Sequence, residues 1–153
     1  MNHLRIVRSL AAPVEQVWAV VGNPGVSPGP GVEVSVERPG APDGSGLIRA
    51  VKVGTVRAHE EIVQVGPGHL VRYRMTKGAP VRDYLGSVAL ADSPSGGSRV
   101  TWDVEFRPIV PGTGWLISLL TQRTLNRVLD AVNAGSQSRE QDDGQVRAEE
   151  SGG

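Results

Sequence analysis

The residues best suited to chemistry are a carboxylate and an arginine on neighbouring predicted strands, Glu61 and Arg49. A hairpin centred on Pro67 would place Glu61 opposite Tyr73 and point its carboxylate inward. A shift of one residue would place Glu60 there instead. A carboxylate enclosed by apolar side chains has a raised pKa and can act as a general acid or base. Glu61 is therefore a catalytic candidate, and the alternative is an exposed strand carboxylate or one paired with a nearby arginine.

Arg49 is the second catalytic candidate, and the sequence leaves its orientation open. The pairing of its strand with the next is ambiguous across the turn at Val53-Gly54. An inward guanidinium could bind a carboxylate or phenolate of a ligand. An outward one would be an ordinary strand charge, because charged side chains are rarely buried without a partner.

Residues 81–107 form two alternating runs joined by a polar, glycine-rich turn, the pattern of a β-hairpin. If Leu90 pairs with Val100, then Val88 pairs with Trp102. This one register puts every large apolar residue of both strands on the same side. The hairpin therefore supplies one apolar, aromatic face.

Three aromatic side chains share this face. A turn centred between Gly78 and Ala79 would pair Tyr73 with Tyr84, both inward beside Trp102. The O–H and N–H groups of such rings can orient a ligand, or can find partners inside a packed core. The sequence predicts that all three line a cavity.

Other chemistries find no support. The chain has no cysteine, which excludes thiol nucleophiles and thiolate metal sites. Its three histidines are scattered, and His59 belongs to HEE rather than HExxH, so we expect no metal. The glycine-rich loop at residues 22–31 lacks a GxGxxG motif that leads into a helix, and no serine has a histidine at a recognisable spacing. No cofactor is predicted.

The rest of the pattern gives the elements that must position these residues. A strand at residues 3–9 precedes a helix that begins at Pro13 and bears an apolar stripe. Short turns join most of the following strands, predicting an antiparallel meander over residues 32–38, 46–52, 55–65, 69–76 and the 81–107 hairpin. A helix over residues 115–134, ended by Gly135, has a broad apolar face. Because it alone is long enough to cover a curved sheet, we predict an α+β domain with an enclosed space.

Length and charge set the remaining expectations. The 153 residues fit one domain, residues 1–135, followed by an acidic tail, residues 136–153, that we expect to be disordered. The body is too weakly basic for a nucleic-acid partner. No run is apolar enough to span a bilayer, and no signal peptide is evident, so a cytoplasmic location is expected.

Several segments resemble the polyketide cyclase/dehydrase-like branch of the START/Bet v 1-like (SRPBCC) superfamily. They are APVEQVWAVV, GLIRAV, EEIVQVGPG, VRYRM and RDYLGSVAL followed by GGSRVTWDVEF, and the likeness covers about residues 3–134. The resemblance implies a helix-grip fold, in which a seven-stranded antiparallel sheet wraps a long C-terminal helix around a hydrophobic cavity. Members bind lipids, polyketides or sterols, and some catalyse cyclisation or dehydration.

Three functions follow as hypotheses. The first is binding of a hydrophobic, lipid- or polyketide-like molecule, with a predicted lining of Tyr73, Met75, Tyr84, Val88, Trp102, Val104, Phe106 and Leu120. The second is a cyclase or dehydratase that uses Glu61, Arg49 and the two tyrosines. The third is a regulatory or partner-binding domain. The oligomeric state is left open.

Overall fold

The chain folds into seven strands and two helices. A computed structural model describes residues 1–29 and 31–150, with side chains described as far as residue 135. The elements are β1 (Asn2–Leu10), α1 (Val14–Val21), β2 (Val32–Arg38), β3 (Ile48–Val53), β4 (Val56–Val65), β5 (Leu70–Lys77), β6 (Val81–Asp92), β7 (Ser98–Pro108) and α2 (Gly114–Glu150). None of the helices in this described part is both long and apolar enough to cross a membrane.

All seven strands belong to one antiparallel sheet with the order β1-β7-β6-β5-β4-β3-β2. Strands β2 to β6 each pair with the next one along the chain, which confirms the predicted meander. Strand β1 pairs with β7 and so adds the seventh strand at that edge. The sheet is curved, and α2 lies across its inner face, which confirms the α+β helix-grip arrangement.

The hairpin of β6 and β7 has the predicted register. Leu90 pairs with Val100 and Val88 with Trp102. The regular pairing ends at a β-bulge between Arg82 and Leu85. One hairpin face therefore delivers its large apolar side chains to the interior, as the alternation indicated.

The predicted pairing of Tyr73 with Tyr84 is wrong, because Tyr73 pairs with Gly86. The difference arises where β6 bulges: Asp83 adopts a left-handed backbone conformation with φ 51°, and Asp tolerates this region better than most residues. The two rings are still neighbours, with centroids 6.2 Å apart.

Helix α2 packs its apolar stripe against the sheet and α1. The stripe consists of buried side chains at helical spacing, Leu125, Val128, Leu129 and Val132. They join a core that includes Val17 of α1 and Phe106 of β7. The turns of α2 from Leu125 to Val132 thus close the interior at this end of the sheet.

The predicted end of this helix at Gly135 is wrong, because α2 continues to Glu150. A single helical glycine is unfavourable by only about 1 kcal/mol relative to alanine, and the residues after it include many good helix formers. Side chains from residue 136 onward, and residues 151–153 altogether, lie outside the described part. The disordered acidic tail at residues 136–153 therefore stays a prediction.

We expect Leu129→Ala to lower the free energy of unfolding by about 3 kcal/mol, because the side chain is fully buried and its removal leaves a cavity. Leu116→Ala, on the same helix, is the matched control, since Leu116 is 42% exposed, and its loss should stay below about 1 kcal/mol. Urea unfolding of both variants measures the difference. Equal losses would mean that α2 does not pack on the sheet through this stripe.

Candidate functional site

A cavity of about 550 Å³ lies between the inner face of the sheet and the first half of the described part of α2. This volume falls in the range of about 300–1,000 Å³ that is usual for small-molecule pockets. The walls are mostly apolar, with Val51, Ala58 and Met75 on the sheet side and Ile117 and Val128 on the helix side. The site therefore suits a largely apolar molecule.

A polar cluster stands on the sheet side of this cavity. Arg49 on β3 is directly opposite Glu60 on β4; the Glu60 side chain is buried, and that of Arg49 is 17% exposed. The Nε of Arg49 donates to Oε1 of Glu60 at 3.1 Å, and Nη2 lies 3.0 Å from the same oxygen. Nη1 donates to the carbonyl oxygen of Pro24 at 3.0 Å, and the guanidinium lies 5.7 Å from the centre of the Tyr73 ring. Arg49 is thus an inward residue, which settles the orientation that the sequence left open.

The prediction that Glu61 points inward is wrong. Glu61 lies on the outer face, where Arg74 donates to its Oε2 from Nε at 3.0 Å and from Nη2 at 2.6 Å. Bulges in β4 move the register against β5, so that Ile62 rather than Glu61 is opposite Tyr73. The fully buried Ile62 and the buried Glu60 take the two inward positions. The catalytic candidate on this strand is therefore Glu60.

The aromatic residues form one connected group around the cluster. The Nε1–H of Trp102 donates to the hydroxyl oxygen of Tyr73 at 2.9 Å. Tyr84 stacks on Phe106, with centroids 6.3 Å apart and an interplanar angle of 27°. Gly86 lies beneath the Tyr73 ring, and a Cβ there would overlap the ring, so glycine is required for the ring to lie flat on β6. The hydrogen bond from Trp102 and the contact with Gly86 together fix the position of the Tyr73 ring and its hydroxyl.

Burial controls the protonation of this site. Desolvation raises the pKa of the Glu60 carboxyl above its usual range, although the charge and hydrogen bonds of Arg49 oppose the shift. Burial first, and the charge of Glu60 second, raises the pKa of Tyr73 to about 12. Burial likewise raises the pKa of Tyr84 well above its usual value, with further contributions from Tyr73 and Glu60. Both tyrosines are protonated at neutral pH and can donate hydrogen bonds.

The arrangement leaves one oxygen of Glu60 available. Among the described residues, Oε2 has no hydrogen-bond partner, whereas Oε1 is held by Arg49. Glu60 itself lines the cavity. The carboxyl can therefore accept a hydrogen bond or a proton from a molecule in the cavity, next to phenols that can donate one.

The predicted site residues divide into two groups. Those around the cavity are Arg49, Tyr73, Met75, Tyr84, Trp102 and Leu120. Val88, Val104 and Phe106, which were predicted to bind ligand, lie instead in the packed core and do not line the cavity. The alternation identified the correct face of the hairpin, but only the placement of α2 decides which part of that face is covered.

Apart from Leu120, sequence reasoning missed the helix side of the cavity. Thr121, Thr124, Arg123 and Arg127 of α2 line it together with Leu120. Thr124 follows Leu120 by four residues, and Arg127 follows Thr124 by three. This helical spacing was a signal that the three side chains share one face of α2. These side chains make one wall of the cavity partly polar.

Known proteins agree with this architecture. The family described as polyketide cyclase / dehydrase and lipid transport matches residues 1–137. A comparison with curated proteins gives no match.

Three solved structures illustrate the shared fold. Protein XoxI from Bacillus cereus has a TM-score of 0.75 at 19% identity and covers 92% of this chain and 99% of its own. A START superfamily protein from Mycobacterium smegmatis has a TM-score of 0.73 at 13% identity, covering 90% and 99%. Norcoclaurine synthase from Thalictrum flavum, solved with dopamine and hydroxybenzaldehyde, has a TM-score of 0.69 at 17% identity, covering 87% and 84%. At these identities the likeness concerns the fold.

We expect the Glu60 carboxyl to titrate above its usual value of 4.5, because burial disfavours its charged form. The folded protein then keeps a proton that the unfolded chain has released, so the contribution of Glu60 to the free energy of unfolding falls as the pH rises from 4.5 through the folded-state pKa. Carbon-detected NMR titration, with Glu60→Gln to identify the resonance, measures the pKa. A value at or below 4.5 would contradict the burial argument.

Proposed function

Because this chain belongs to the polyketide cyclase / dehydrase and lipid transport family, we propose that it binds a hydrophobic, lipid- or polyketide-like molecule in the cavity beneath α2. The observation that carries the proposal is the cavity of about 550 Å³ with apolar walls and one buried polar cluster. Pockets of this composition use the apolar walls for affinity and the polar groups for orientation.

The walls provide the driving force for binding. Burial of apolar surface contributes roughly 25 cal/mol per Å², so a ligand that buries about 250 Å² gains about 6 kcal/mol. Part of this gain offsets the loss of translational and rotational freedom on association. Micromolar affinity requires about 8 kcal/mol, so the apolar walls alone do not reach it and the polar groups must supply the rest.

The polar cluster selects the ligand's functional group. Oε2 of Glu60 accepts a hydrogen bond, and the protonated tyrosines donate. A ligand that buries this cluster without hydrogen-bonding to it leaves polar groups unpaired and binds more weakly. The ligand should therefore carry a hydroxyl, phenol or carbonyl group on an otherwise apolar frame.

We expect Met75→Trp to weaken binding of dansylaminoundecanoic acid by about tenfold or more, because the larger side chain fills part of the cavity that Met75 lines. Thr76→Trp is the control, since Thr76 is exposed and its side chain points to the opposite face of β5. Fluorescence titration gives both affinities, and native mass spectrometry reports any molecule retained through purification. Unchanged affinity in a folded Met75→Trp variant would contradict binding in this cavity.

A second candidate function is acid–base catalysis of the kind that a cyclase or dehydratase requires. The observation that favours it is the buried Glu60, whose pKa is raised by burial and whose charge in turn raises the pKa of the nearby Tyr73 and Tyr84. Glu60 would take a proton from a carbon next to a carbonyl group. Tyr73, whose hydroxyl oxygen accepts from Trp102 and Tyr84, would donate a hydrogen bond to the enolate oxygen that forms.

The Kemp elimination of 5-nitrobenzisoxazole tests this base directly, because one base removes a ring proton while the N–O bond breaks to give a cyanophenolate. We expect the rate to rise with pH as Glu60 ionises, and Glu60→Gln to lower it by about a hundredfold, the lower end for general-base catalysis. Glu61→Gln is the matched control, since Glu61 lies on the outer face, and its rate should equal that of the parent. Equal rates for all three proteins would rule out Glu60 as the base.

A further inference from the structure

An exposed apolar surface lies where α2 begins. Its six residues, which we call the apolar rim, belong to the β7–α2 connection and the first turns of α2: Ile109, Val110, Trp115, Leu116, Leu119 and Leu120. Trp115 is 69% exposed, the highest value among them. A cluster of this kind on a folded domain usually marks an interaction surface.

The helical part of the rim is one continuous face. Trp115 and Leu119 are four residues apart, as are Leu116 and Leu120, so their side chains are neighbours. The other side of α2 supplies Leu129 and the rest of the buried stripe. Helix α2 therefore has apolar side chains towards both the protein and the solvent. Packing inside the protein explains the buried stripe but not the exposed rim.

The rim is continuous with the opening of the cavity. Leu120 is exposed and also lines the cavity. The N–H of Ile109 donates to the carbonyl oxygen of Pro80 at 3.1 Å, and Pro80 is another cavity residue. Val56, the first residue of β4, is exposed and also lines the cavity. A surface that covers the rim would also face the cavity mouth.

Basic side chains border the rim. Arg123 and Arg127 follow Leu119 on α2 at intervals of four residues. Arg82 and Arg107 are opposite each other at the ends of β6 and β7, just before the rim begins. The nearby Asp83 lies 3.8 Å from Arg107 and offsets part of this charge.

Acidic groups on α2 begin only beyond this border, three residues after Arg127. The first one is Asp130, which pairs with Arg8 at 2.7 Å. It lies about 15 Å along the helix axis beyond Leu120, at 1.5 Å per residue. The part of α2 beside the cavity mouth therefore presents cations alone.

We propose that the apolar rim docks on an anionic lipid surface. An exposed tryptophan beside leucines, followed by arginines on the same helix, matches the chemistry of an interfacial helix, whose apolar side chains enter the lipid while cations meet the headgroups. A second copy of the chain is a poorer fit, because a two-fold contact through the rim would bring its arginine border against the same border of the other copy.

Docking would open the cavity mouth towards the lipid. A hydrophobic molecule could then move between the bilayer and the cavity without crossing water. This consequence rests on the proposed function, whereas the docking itself depends only on the rim and its charged border.

Flotation of the full chain with vesicles of phosphatidylcholine and phosphatidylserine tests the proposal. We expect binding to these vesicles, little binding to phosphatidylcholine alone, and weaker binding at raised salt. Trp115→Ser combined with Leu119→Ser should weaken binding by about tenfold or more, because two large apolar side chains no longer enter the lipid. Leu85→Ser is the matched control: Leu85 is 41% exposed against 37% for Leu119, and it lies on β6 outside the rim.

Two further measurements complete the test. The Trp115/Leu119 double variant should keep the parent's affinity for dansylaminoundecanoic acid in the absence of vesicles, because neither residue lines the cavity. Failure of ligand binding and failure of docking are thereby separated. Absence of vesicle binding, equal loss in the Leu85→Ser control, or a dimer in light scattering that the double variant abolishes would each overturn the proposal.

Discussion

The interior of this protein is organised around one buried ion pair, Arg49 with Glu60. Two charges can remain in an apolar interior only if they satisfy one another, and removing one partner of such a pair typically costs about 3–5 kcal/mol. The pair therefore fixes the inner faces of β3 and β4. It also limits what can cover them, because apolar side chains of α2 packed directly on the pair would desolvate it further. A cavity beside the pair is the arrangement that avoids this desolvation.

The sheet accordingly has a packed half and a hollow half. Val100, Val104 and Phe106 of β7 are fully buried in the same core as Leu129 of α2. Farther towards the start of α2, the side chains that face the sheet include the short Thr121, and the space beside β3, β4 and β5 stays open. One helix thus closes the core with its later turns and roofs the cavity with its earlier ones.

The sequence predicted those parts of the fold that depend on periodicity. Alternation identified the strands and gave the register of Val88 with Trp102, because a slip of one residue would turn an entire apolar face outward. Alternation failed in β4, where a bulge inserts a residue. Two sets of residues could each form the inward face of this strand: His59, Glu61 and Val63, or Glu60, Ile62 and Gln64. Only the pairing with β5 distinguishes them. The end of α2 was misjudged because a glycine signal was given more weight than the helix formers that follow it. The division of the apolar face into core and cavity wall depends on where α2 crosses the sheet, and no local pattern encodes that crossing.

The stability of the fold does not explain the apolar rim. The buried stripe from Leu125 to Val132 already holds α2 on the sheet, so the exposed Trp115 and Leu119 add little to that packing. Exposed apolar clusters also promote association, which makes them a liability in a domain that needs only to fold. The rim borders the cavity, and its residues and the cavity residues share the same turns of α2. A single helix therefore carries three apolar surfaces, one for the core, one for the cavity and one for the rim, and Leu120 belongs to both the rim and the cavity wall.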